Sequence, residues 1–120
     1  MNTTALVSTR IPGFRVVPKR KLGDVFRPSQ SGFYVLLGRR GGATAPRERV
    51  LFVDYVDDFL DACRLQIDEL WTKHRVMITH VAVKLGRPFQ TVHPSLTDAY
   101  RRAIAVQELR HKLNPRFRRL

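Results

Sequence analysis

A chain of 120 residues points to one small domain with a single core. Its apolar content of 43% excludes a disordered chain, and no stretch approaches the ~20 apolar residues of a membrane span. The outlier is charge: 22 Lys plus Arg against 10 Asp plus Glu, net +12, with 17 of the basic residues Arg, so a polyanionic partner is expected.

Residues 1–13 read as a loose basic arm. Residues 1–23 contain no acid but do contain Arg10, Arg15, Lys19, Arg20 and Lys21. That is the composition of an organelle-targeting segment, but Pro12, Gly13 and Pro18 interrupt any amphipathic helix, so an arm or first strand is expected. Phe14 to Val17 suits a short strand closed by Pro18, and Val25-Phe26-Arg27 a second, ended by Pro28. Ser29 to Gly32 is turn chemistry. Phe33 to Leu37 is the best strand of this half. Gly38 to Pro46 reads as a basic hairpin loop, and Arg49 to Asp54 as the next strand, with Val50 and Phe52 on one face and Leu51 and Val53 on the other.

The period then changes. Val56, Phe59, Leu60, Cys63, Ile67, Leu70 and Trp71 trace one helical stripe. Asp54, Asp57 and Asp58 stand at its start, where the helix dipole favours acids, and Lys73, His74 and Arg75 at its end, where it favours cations. Val76 to Val83 is an apolar, β-branched run expected as a buried strand. After a loop marked by Gly86, Pro88 and Pro94, Ser95 is expected to cap a second helix, with Asp98 completing a capping box. Its stripe is Leu96, Ala99, Tyr100, Ala103, Val106 and Leu113, its outer face carries Arg101, Arg102, Glu108 and Lys112, and Asn114-Pro115 stops it. Residues 114–120 form a basic tail.

Charge is uneven along the chain. Residues 1–47 carry nine basic groups and one acidic, residues 48–69 two and seven, and residues 70–120 eleven and two. The central helix is an acidic island, and the binding surface is expected on the segments that flank it.

Tyr55-Val56-Asp57-Asp58 matches the Tyr-x-Asp-Asp string of reverse transcriptases, but that chemistry needs a palm domain for which the chain is too short. Asp54, Asp57, Asp58 and Asp61 lack the partnered His or Lys of a nuclease site, so acids favoured by the helix dipole explain them better. A lone Cys63 on the apolar stripe and four scattered His residues give neither a nucleophile nor metal-ligand spacing. No cofactor or metal is expected, and no enzyme. What remains is basic residues interleaved with aromatics. Lys19, Arg20, Lys21, Arg27, Arg39, Arg40, Arg47 and Arg49 are expected to hold phosphates. Phe26, Phe33 and Tyr34 are expected to stack on bases from an open sheet face.

The pattern over Gly32 to Leu70 resembles the Pur-alpha-type (PUR) repeat in its single-repeat bacterial form. Ser31-Gly32-Phe33-Tyr34-Val35-Leu36-Leu37, Arg39-Arg40-Gly41-Gly42, Arg47-Glu48-Arg49-Val50-Leu51-Phe52-Val53 and Asp57-Asp58-Phe59-Leu60 carry the likeness. The resemblance implies a ββββα unit over residues 14–73, similar also to the Whirly fold. It implies a homodimer through swapped helices (residues 56–73) and single-stranded DNA or RNA binding on the sheet. Residues 74–113 would add a strand and a helix.

The expected fold is therefore α+β, a small antiparallel sheet packed by a long amphipathic helix, plus one strand and a C-terminal helix. The expected function is single-stranded nucleic-acid binding without catalysis. The alternatives are a structural protein of a ribonucleoprotein particle such as a ribosome, and a phage or plasmid protein that grips another protein through the acidic helix. The first reading places it in the cytoplasm or on the nucleoid, and a targeting segment would place it in an organelle matrix.

Overall fold

Apolar runs bounded by turn residues become strands, and the two helical periods become helices. The computed structural model describes residues 11–40, 49–86 and 95–118. Strand β1 spans Arg15–Pro18, β2 Gly32–Arg40, β3 Arg49–Val56 and β4 Val76–Leu85. They form one antiparallel sheet in the order β1-β4-β2-β3. A 3-10 turn at Lys19–Lys21 and a one-turn helix α1, Leu22–Val25, join β1 to β2. Helix α2 spans Phe59–His74 and α3 spans Asp98–Leu113. The fold is α+β.

Two expectations about the strands change. The strand expected at Val25-Phe26-Arg27 is not formed. Leu22–Val25 closes one turn of helix instead, which brings Leu22 and Phe26 together into the α2-side core, whereas a strand would hold them about 13 Å apart. The Phe26 N–H donates to the Leu22 carbonyl at 3.0 Å, and its ring meets Phe59 edge-on at 4.9 Å. The strand expected as an addition, β4, is an inner strand instead, paired with β1 on one side and β2 on the other.

Strand alternation sends side chains to two faces. Tyr34, Leu36, Phe52, Val81 and Val83 pack against Phe59, Leu60, Cys63 and Leu70 of α2. Phe33, Val35, Leu37, Val53, Tyr55 and Ala82 lie on the other face, where α3 brings Val106, Leu109 and Leu113. Complete burial of a side chain the size of Leu36 or Phe59 contributes about 1.5–3 kcal/mol, so the larger α2-side cluster is the main core.

Two bulges shape the sheet. The β2–β3 register passes from Leu36↔Phe52 to Leu37↔Val50, leaving Leu51 unpaired. Leu51 therefore joins Phe52 in the α2-side core instead of facing the other way. The β2–β4 register passes from Leu37↔His80 to Gly38↔Ile78, leaving Thr79 over, and the Thr79 hydroxyl donates to the Leu37 carbonyl at 3.3 Å. At Gly38 the strands come so close that a Cβ would stand 2.0 Å from the Met77 carbonyl oxygen, so only glycine fits.

Helix ends follow local chemistry. The α3 cap is Thr97, not Ser95; its hydroxyl accepts from the Tyr100 N–H at 3.3 Å. Asn114 stops α3 in the left-handed region (φ 50°), as the Asn-Pro pair suggests. Arg75 ends α2 in the same conformation, φ 53°. The buried face of α3 is rotated from the one expected. Tyr100 is 66% exposed and Leu96 also exposed, while Ala105, Val106, Leu109 and Leu113 meet the sheet. Arg102 lies on this inner side, with its guanidinium 2.8 Å from the Tyr55 carbonyl oxygen and 4.9 Å from the Tyr55 ring centre.

Candidate nucleic-acid interface

The aromatics expected to stack on bases are buried in the fold. Phe33 is 5% exposed, Tyr34 1% and Phe26 5%. Phe33 meets Tyr55 edge-on at 5.0 Å beneath α3, and Tyr34 lies 6.1 Å from Phe52 beneath α2. The reason is that the second helix covers the face that a single-helix architecture leaves open. Burial also pushes the Tyr34 hydroxyl and the Cys63 thiol well above their ordinary values, so both stay neutral.

The cations behave differently. Lys19, Arg20 and Lys21 are exposed on the 3-10 turn, Arg27 on the turn before β2, and Arg39 and Arg49 at the paired ends of β2 and β3. Arg47 and the Arg40 side chain lie outside the described residues.

The fold gathers further cations at one end of the sheet. Arg39 pairs in register with Met77, and Arg49 with Gly38. Helix α2 delivers Lys73 and His74 there in its last turn, followed by Arg75. The tail returns to the same end. The Arg116 and Phe117 N–H groups donate to the Val50 and Leu51 carbonyls at 3.1 and 2.8 Å, and the Phe117 ring lies 4.7 Å from the His74 ring. Arg39, Arg49, Lys73, Arg75, Arg116 and Arg118 are all exposed there. Among the described residues only Lys73 of this set has a carboxylate partner, Glu69 at 2.9 Å. Like charges from separate segments gather at one end, which makes the local potential there positive.

Trp71 stands beside them. It is 43% exposed, with the Arg75 guanidinium 5.3 Å from its ring centre. It continues the apolar stripe of α2, which by itself suggests a packed residue. The signal in the sequence is its company, two residues from Lys73 and one turn from Arg75 at the end of the helix. A hollow of about 200 Å³ runs from Trp71 past Ile67 and Lys19 to the Val76–Ile78 stretch of β4. Lys19 and Ile67 also line a second hollow, of about 450 Å³, between α2 and the 3-10 turn, where Arg20, Arg64, Leu65 and one acid, Asp68, join them. The Arg64 guanidinium lies directly over Gly23. Basic end, Trp71 and basic groove thus form one track.

The other end of the molecule carries acids. Asp57 is exposed at the start of α2, 4.0 Å from Arg102, and Asp61 is exposed in its first turn. The Tyr55-Val56-Asp57-Asp58 string spans the end of β3 and the turn into α2. Asp58 is the N-cap of α2, with no side-chain capping bond, so dipole complementarity is the local role left to these acids. Helix α2 therefore runs from an acidic end to a basic one.

Among the described residues no helix is long and apolar enough to cross a membrane, and no group of three or more His, Cys, Asp or Glu is placed to hold a metal ion. No family model matches the chain, and no curated protein or solved structure matches it either.

Proposed function

We propose that this chain binds single-stranded nucleic acid along the track from the basic end of the sheet, past Trp71, to the groove between α2 and the 3-10 turn. The observation that carries the reading is the convergence of six exposed cations at one sheet end beside an exposed tryptophan. Arginine and lysine on phosphates supply affinity without sequence preference, and one aromatic face supplies stacking, worth about 1–3 kcal/mol per base. The sheet aromatics take no part; they hold the fold. A duplex offers phosphates to the same cations but no base face to Trp71, which favours single strands.

Trp71 is the one tryptophan in the chain, so its fluorescence reports the site directly. Titration with single-stranded DNA or RNA of mixed sequence is expected to quench it, and added salt to restore it. Emission unchanged by oligonucleotides that bind would remove Trp71 from the interface. Absence of binding to either strand at low salt would overturn the reading.

A further inference from the structure

A third hollow lies away from this track, between α3 and the far end of the sheet. Its volume is about 230 Å³. Phe14, Phe33, Ala105 and Leu109 give it apolar walls, and Lys84 and Lys112 stand at its rim. Phe33 and Lys84 are cross-strand partners in the β2–β4 register, so both side chains rise from the face that α3 covers.

The placement of Lys84 is the informative feature. Its side chain is half-buried, and its Nζ lies over Gly13, 3.8 Å from where a Cβ there would stand. Among the described residues neither Lys84 nor Lys112 forms an ion pair. Glu108 also lines the hollow, but it and Lys112 are both exposed and stand one helical turn apart, so the half-buried Lys84 is the cation that sets the character of the site. A cation beside apolar walls gains from an anionic partner that brings its own apolar body.

Size limits that partner. A cavity of ~150 Å³ lined by apolar side chains holds benzene, so this hollow has room for one ring and a short acidic arm. We propose that it binds a single-ring aromatic carboxylate, ring against Phe14 and Phe33, carboxylate toward Lys84. This site is separate from the nucleic-acid track and does not depend on it.

The test is a titration of the uniformly nitrogen-15-labelled protein with phenylacetate, followed by amide shifts, beside a parallel titration with 2-phenylethanol, which has the ring but no charge. Saturable shifts confined to residues around Phe33, Lys84 and Leu109 are expected with phenylacetate. Lys84→Met is expected to weaken them about tenfold, and Ala105→Phe, which fills the hollow, to abolish them. No saturable shift with phenylacetate would overturn the proposal whatever the variants do. Equal binding of 2-phenylethanol, or full binding by Lys84→Met, would overturn the assignment of an anionic ligand.

Discussion

Arg110 donates to the backbone carbonyl of Val53, 57 positions earlier, through both Nε and Nη2 at 3.3 and 3.2 Å. Its guanidinium also lies 3.8 Å from the Asp54 carboxylate. Val53 sits in β3, an edge strand of the sheet. Arg102 does the same for Tyr55, the Tyr55 N–H donates to the Asp54 carboxylate at 2.8 Å, and the tail N–H groups take Val50 and Leu51. This edge is closed by side chains and tail instead of a further strand, which removes a template for unwanted pairing. Two of the arginines therefore hold the fold, and each also faces a carboxylate, Asp57 for Arg102 and Asp54 for Arg110.

Replacing Arg110 with Ala is expected to lower stability by about 1–3 kcal/mol, because a charge-assisted bond to a part-buried carbonyl is lost. Nucleic-acid affinity is expected to change less than about twofold, since the site of the loss is remote from the phosphate contacts. Urea denaturation and a binding titration on the same preparation check both. A large loss of affinity with unchanged stability would place Arg110 in the interface instead.

Gly38→Ala is expected to destabilise by about 3 kcal/mol, as the added methyl meets the Met77 carbonyl and forces the strands apart. The wild-type urea midpoint in this variant would contradict the close approach at the Thr79 bulge.

Several elements were legible in the sequence because one physical period dominated each. β2, β3 and β4 are apolar runs bounded by turn residues, and α2 has an unbroken stripe from Phe59 to Leu70. Sequence reasoning failed where two readings cost the same locally. Val25 and Phe26 fit a strand as well as a helical turn, and only the core contact of Leu22 and Phe26 decides between them. The stripe of α3 was misplaced because Arg102 and Arg110 lie on its inner side, where carbonyls and carboxylates of β3 receive them; a polarity pattern reads such arginines as outward-facing. The error over Phe33 has another source: a single helix on the sheet leaves its second face open, and here α3 covers that face. The cations of the site were legible one by one, but their gathering with Trp71 depends on the return of the tail and on the end of α2.

Arg75 separates binding from stability. It holds a left-handed conformation that glycine adopts without strain. Arg75→Gly is expected to raise stability by about 0.5 kcal/mol and to weaken oligonucleotide binding several-fold, since it removes a cation beside Trp71. Thermal unfolding and affinity moving in the same direction would contradict this division of roles.

The central claim is that the basic end grips the phosphates of a single strand. Fluorescence anisotropy with labelled single-stranded DNA, single-stranded RNA and duplex across a range of salt tests it most directly, comparing the wild-type chain with an Arg39→Ala, Arg49→Ala, Arg116→Ala variant. The wild type is expected to prefer single strands and to weaken steeply with salt. The variant is expected to lose affinity for every sequence and to flatten the slope by about 0.7 per lost contact on single strands. Binding insensitive to salt, a wide preference for duplex, or a variant with the wild-type slope would contradict the account.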